Sequence, residues 1–193
     1  MKNFDIPLHV RGESVFLDDM AAPEGLLYAA VFPSPVAHGK IQRLDAAKAR
    51  RSPGVIAVLT AVDIPGQNQV GGIIQDETLL AAEHVKYIGE PIALVIAETK
   101  SQAKKAFKDI ELEISPLAPV LDPLEAFKQG NLIIPPRTFA LGDVAAAWGQ
   151  CDLIVEGRVD SGGQEHFYME TQAALAVPAE NKGITLYSST QAP

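Results

Sequence analysis

The sequence predicts an α+β chain in two parts, and three observations carry that prediction. Apolar runs of strand length recur at 26–32 (LLYAAVF), 55–59 (VIAVL) and 92–97 (IALVIA), with short amphipathic helical segments between them. Prolines at 116, 119 and 123 then interrupt the chain, because proline resists both helix and sheet interiors. Beyond them lies a strand-rich remainder whose densest polar stretch is 162–178, GGQEHFYMETQAALAVP.

In chain order, residues 1–11 read as a loose lead-in and 13–19 as a short strand or bent edge segment. The run 26–32 is apolar on both alternating faces, which predicts a strand buried on both sides, ended by Pro33 and Pro35. Residues 41–44 predict another strand. Asp45 then reads as the N-cap of a short helix, AAKARR, whose basic end suits the helix dipole and which Pro53-Gly54 stops. After the strand at 55–59, residues 60–65 read as a turn of helix or 3₁₀ helix. Residues 85–87 precede the third buried run, 92–97. Thr99 and Gln102 have capping-box spacing. The helix they open places Ala103, Ala106, Phe107 and Ile110 on one face and Lys104, Lys105 and Lys108 on the other. A strand at 111–114 closes the first unit.

Past the proline break, Asp122 and Asp143 each signal the start of a short helix, and 153–160 predicts a strand. Residues 172–177 and 184–189 predict a hairpin around the turn AENKG. The division therefore falls at 9–119 and 120–193. The second unit ends directly after a strand, which leaves sheet edge and apolar surface uncovered. It is expected either to dock on the first unit or to continue in a longer chain.

Hydrophobic residues make up 47% and charged residues 21%, an ordinary globular balance rather than a disordered one. A net charge of −8 speaks against nucleic-acid and acidic-membrane binding, which rest on phosphate neutralisation. Arg50-Arg51 and Lys104-Lys105 read as solvated helix faces. A single cysteine, Cys151, excludes an intrachain disulfide framework and a cysteine-ligated metal or iron–sulfur cluster within the chain. The first residues lack a signal-peptide pattern and no apolar run reaches membrane-spanning length, so the expectation is a cytoplasmic protein.

Within 162–178, His166 and Glu170 share one face of a strand, and a hydrogen-bonded structural pair is the favoured reading over a metal site. Glu165 and Glu170 fall on opposite faces, against an acid–base pair. Ser161, Ser188, Ser189 and Thr190 lack a nucleophile elbow. Gln164 differs. It follows Gly162 and Gly163, which allow a large ligand to approach the backbone closely, and its carboxamide can donate to a metal-bound oxygen without adding charge.

The stretches GGQEHFYMETQAALAVP and ITLYSSTQAP resemble the start of the molybdenum-cofactor domain in the xanthine dehydrogenase and aldehyde oxidase family. Upstream, HVRGESVFLDDM, LLYAAVFPSPVAHGKI, SPGVIAVLTAVDIPG and YIGEPIALVIAET resemble that family's N-terminal α/β hammerhead domain. The wording QEHFY is more similar to the xanthine dehydrogenases than to the aldehyde oxidases. The resemblance implies an α/β hammerhead domain at 9–119 followed by the start of a molybdopterin-binding domain at 120–193. It implies purine hydroxylation with oxygen from water. A molybdenum–molybdopterin cofactor would serve that reaction, with FAD and 2Fe-2S clusters on partner chains or domains and electrons passed to NAD. It places Gln164 in a hydrogen bond to a molybdenum oxygen ligand, with Gly163 beside the cofactor, and makes His166 and Glu170 scaffold. The family's remaining catalytic residues lie beyond this stretch, so no catalytic residue and no direct metal ligand is expected here. The chain by itself is expected to be inactive, with a non-catalytic docking module as the alternative.

Overall fold

The computed structural model describes residues 5–72, 74–168 and 170–190. Its elements in chain order are α1 (Ile6–Arg11), β1 (Tyr28–Pro33), β2 (Gly39–Asp45), β3 (Val55–Thr60), β4 (His84–Val85), β5 (Pro91–Ala97), α2 (Lys100–Lys105), β6 (Glu111–Pro116), α3 (Pro123–Lys128), α4 (Val144–Trp148), β7 (Ala174–Pro178) and β8 (Ile184–Ser188). This is the expected α+β mixture of helix and strand, and among the described residues every strand pairing is antiparallel. The elements group into two compact units, Glu24–Thr138 and Met1–Pro23 with Phe139–Pro193.

The Glu24–Thr138 unit holds two antiparallel sheets of three strands, ordered β1-β5-β3 and β4-β2-β6. β5 runs between two partners and is covered on both faces: Ile92, Ala93, Val95 and Ala97 are fully buried. Its unbroken apolar run follows from that placement. β1 has the same composition but a different fate, and the expectation of burial on both sides is corrected. Its residues alternate between half-buried and exposed, because the strand lies at a sheet edge with one face packed. Ala30 and Phe32 face the core, where Phe32 meets Phe107 edge-to-face at 5.4 Å, while Val31 points outward.

α2 covers that core. Thr99 Oγ1 accepts the Gln102 N–H at 3.2 Å and donates to Gln102 Oε1 at 2.7 Å, so the two residues of the expected capping box do meet. Ala103, Ala106 and Ile110 are buried with Ala46, Ala49, Val58 and the β5 alanines, and the lysines face outward. Asp45 caps no α-helix. It ends β2 and accepts the Ala47 N–H at 2.8 Å, and the following residues form only a 3₁₀ turn, Ala49–Arg51. The segment before Pro53 is too short to nucleate more. Nor is Arg50 merely solvated, since its guanidinium donates to the Val58 carbonyl at 3.1 and 3.3 Å. α3 starts as expected: Asp122 Oδ1 accepts from the N–H groups of Leu124 and Glu125.

In the other unit, α1 replaces the expected loose lead-in over residues 6–11, with Gly12 as its left-handed stop, while residues 1–4 lie outside the described residues. Residues 13–19 form no strand and end in a 3₁₀ turn, Leu17–Asp19. Asp143 caps α4 through the Ala146 N–H at 2.9 Å. β7 and β8 form the expected hairpin, in register from Ala174↔Ser188 to Pro178↔Ile184. The strand expected at 153–160 is absent. That run has no ladder partner among the described residues, and its exposed backbone can bond to solvent instead. Among the described residues every buried side chain lies between Ser34 and Ile110.

Candidate functional site

Residues 161–168 follow no regular hydrogen-bonding pattern. Gly162 and Gly163 have no left-handed φ, and a Cβ built on either would meet nothing within 4 Å. Packing among the described residues therefore does not require glycine there. What glycine leaves is open space above the backbone. Gln164 is exposed, and its carboxamide makes no hydrogen bond to the described residues. Its two donors and one acceptor remain available to a ligand.

Phe167, three residues on, has φ +51° and is 92% exposed. A bulky residue in this left-handed conformation stores strain, and the burial that usually offsets such strain is missing. The Phe167 N–H donates to Glu165 Oε1 at 3.4 Å. That contact occupies one of the two carboxylates considered as an acid–base pair.

Among the described residues the expected strand carrying His166 and Glu170 on one face is not formed, and no neighbouring strand pairs with them. No hydrogen bond joins the two side chains. Glu170 instead accepts the backbone N–H of Leu17 at 2.9 Å, in a half-buried contact across 153 positions of sequence. His166, Tyr168, Glu170 and Gln172 line an open cleft of about 870 Å³ together with Ser188, Ser189 and Thr190. The Ser189 hydroxyl accepts the Ala173 N–H at 2.8 Å and donates to the Thr171 carbonyl at 2.8 Å. It is a staple rather than a nucleophile.

Sequence reasoning overlooked both contacts. Ser189 was legible by extending the hairpin register one residue beyond Ala174↔Ser188. The Leu17–Glu170 bond has no local signal.

A second concavity, of about 540 Å³, lies in the Glu24–Thr138 unit. Two of its polar side chains meet backbone, with Lys86 Nζ donating to Asp76 O at 2.6 Å and His38 Nδ1 lying 3.4 Å from Ala118 O, and Asn131 Nδ2 donates to Gln129 Oε1 at 3.1 Å. The open stretch with the unengaged carboxamide is the stronger candidate.

Residues 11–118 match the aldehyde oxidase and xanthine dehydrogenase a/b hammerhead domain, and residues 126–193 match the molybdopterin cofactor-binding domain. The chain belongs to the aldehyde oxidase and xanthine dehydrogenase family. It is 41% identical over 187 residues to aldehyde oxidase 2 of Rattus norvegicus and 40% identical over 190 residues to xanthine dehydrogenase of Oryza sativa subsp. japonica. Each match covers 96% of this chain and 14% of the relative, so the chain spans about one seventh of their length. It is similar to the solved aldehyde oxidoreductase of Desulfovibrio gigas with a TM-score of 0.82 and 25% identity, over 96% of this chain and 23% of that one.

The residues present fit a molybdopterin cofactor. The exposed glycine pair and the unengaged Gln164 carboxamide leave room and hydrogen-bonding capacity. Among the described residues no group of three or more His, Cys, Asp or Glu is arranged to hold a metal ion. No helix of the described residues is long and apolar enough to cross a membrane.

Proposed function

We propose that this chain forms the N-terminal part of the molybdenum-binding subunit of a xanthine dehydrogenase-type hydroxylase. The hammerhead domain would occupy 9–119 and the start of the cofactor domain 120–193. The observation that carries this reading is the Gln164 carboxamide, exposed and unengaged beside two glycines that packing among the described residues does not explain. When bound, the molybdenum cofactor supplies the redox chemistry that hydroxylates a purine carbon with oxygen from water. The role of this chain is to hold and orient. Gln164 would hold the cofactor through its carboxamide N–H groups without becoming a metal ligand itself, and Gly163 would leave the backbone open to it. His166 and Glu170 belong to the scaffold, and the acid–base groups come from elsewhere in the assembly.

A purine is favoured over an aldehyde by the wording of residues 164–168, QEHFY. FAD and 2Fe-2S clusters on partner chains or domains would carry electrons to NAD. The single cysteine accords with that arrangement, and with a cytoplasmic location.

The deciding experiment tags the protein in its native cell, isolates it gently, and measures partner masses, molybdenum content and turnover of xanthine against an aldehyde. Stoichiometric molybdenum with flavin and iron–sulfur partners and xanthine turnover is the expected result. In that assembly Gln164→Ala should lower turnover about 10–100-fold with the fold intact. Unchanged turnover would remove Gln164 from the role given to it. A molybdenum-free chain without such partners would favour the docking-module reading, which the confinement of buried side chains to residues 34–110 also suits.

A further inference from the structure

The Gln164 stretch lies in a segment with few internal restraints. Residues 161–168 form no helix or sheet, and Phe167 holds a strained φ with its ring in solvent. A carboxamide on a loose segment orients nothing, so the adjoining tethers decide what Gln164 can do. On the C-terminal side two stand among the described residues. Ser189 ties Thr171 and Ala173 to the hairpin, and Glu170 accepts the Leu17 N–H at 2.9 Å.

The donor of that second bond is itself held in place. Leu17 opens the 3₁₀ turn Leu17–Asp19, whose first N–H groups have no partner within the turn. The Phe16 N–H is taken by Asp19 Oδ2 at 3.0 Å, and Leu17's is left for Glu170. Phe16 stacks on His9 at 6.2 Å between ring centres, and Ser14 Oγ lies 2.7 Å from His9 Nδ1. A carboxylate accepting a backbone N–H forms a charge-assisted hydrogen bond.

The geometry points to Glu170 as a positioning residue, which anchors the Gln164-bearing segment to the N-terminal turn through the Leu17 N–H. The contact sets where Gln164 stands; the carboxylate touches no reacting atom. It deepens the proposed function and rests on it for its consequence, but the anchoring can be tested on the metal-free chain. Absence of molybdenum in the native assembly would defeat the functional reading and leave the anchoring result standing.

The test is limited chymotrypsin digestion of the whole 193-residue chain, reading cleavage after Phe167 and Tyr168. Cleavage after Phe139, which is 92% exposed, serves as the internal reference. Glu170→Ala should raise the 167–168 cleavage rate about tenfold relative to the reference, the factor set by one lost hydrogen bond to a charged group. Glu170→Gln keeps an oxygen that accepts the same N–H and should restore most of the protection. Leu17→Pro removes the donor without touching the site stretch, at a first-turn position that tolerates proline. It should reproduce the Glu170→Ala effect. Cleavage unchanged in Glu170→Ala, a Gln variant as labile as the Ala variant, or a Leu17→Pro chain that protects 167–168 normally would each overturn the proposal.

Discussion

Asp109 stands where Lys48 Nζ, at 2.7 Å, and Ser52 Oγ, at 2.8 Å, converge on its two oxygens. These hydrogen bonds hold its carboxyl below the usual carboxylate range, the Lys48 contact first and Ser52 second. Asp45 is lowered chiefly by the Ala47 N–H and then by Arg43, and Asp63 by the backbone and hydroxyl of Thr60. A carboxyl with a depressed native pKa stabilises the fold fully above its unfolded value, about 3.9. That contribution is lost as pH falls from there through the lowered native value, because the unfolded chain takes up protons first. Asp109→Asn should therefore be less stable than the parent at pH 7. Its urea midpoint should also fall less steeply between about pH 5 and pH 2, with Asp45 and Asp63 supplying the remaining slope. Parallel curves for the two proteins would show that Asp109 carries no linked proton. None of this was visible as charge counting, which read the nearby Arg50-Arg51 as a solvated face.

At the scale of elements, the sequence spoke clearly wherever a structure is closed by neighbours a few residues apart. Thr99, Asp122 and Asp143 cap the helices that follow them, as their spacing predicts. The turn entering β3 is another such case. Val55 N–H returns to Ser52 O at 3.1 Å, and Gly54 has φ +76°, the arrangement expected of proline and glycine at the centre of a type II turn. A Cβ at Gly54 would also strike the Gln102 side chain. Gly54→Ala is expected to cost about 1–2 kcal/mol from the left-handed backbone, with more where Gln102 resists moving. A urea titration of the 193-residue chain measures it. A loss below a few tenths of a kcal/mol would mean that the turn relaxes to another form. The sequence misled where an apolar run was taken as its own evidence for a strand. Residues 153–160 read as strand and form none, and β1 read as doubly buried and is an edge.

Over the whole molecule, burial is confined. Among the described residues no buried side chain falls outside 34–110, while Phe139, Leu141, Leu153, Val155, Val159 and Phe167 are each at least 80% exposed. Apolar burial supplies most of the drive to fold, so stability is concentrated in the Glu24–Thr138 unit. Amide exchange on the 193-residue chain should show strong protection in β2, β3, β5 and β6. Protection at 139–173 should be lower by a factor of at least about a hundred, apart from α4. Uniform protection along the chain would contradict this picture. The exposed apolar set is also the surface that further protein, from this polypeptide or a partner, is proposed to cover in the assembled enzyme.

Much of the fold was set by the sequence itself: the capped helices, the β7–β8 hairpin, the central β5 strand and the amphipathic face of α2. Each depends on contacts within a turn of helix or across one tight loop, or on a composition that only full burial tolerates. The same short-range reading singled out Gln164 beside Gly162 and Gly163 as a place where a ligand could approach the backbone. Tertiary structure decided the rest. It alone determined which apolar runs gained a neighbour, that Arg50 would reach the Val58 carbonyl, and that Glu170 would find its partner 153 positions away in Leu17 rather than in His166 nearby. Coverage and long-range hydrogen bonds belong to pairs of residues brought together in space, and a single run of sequence carries only one member of each pair.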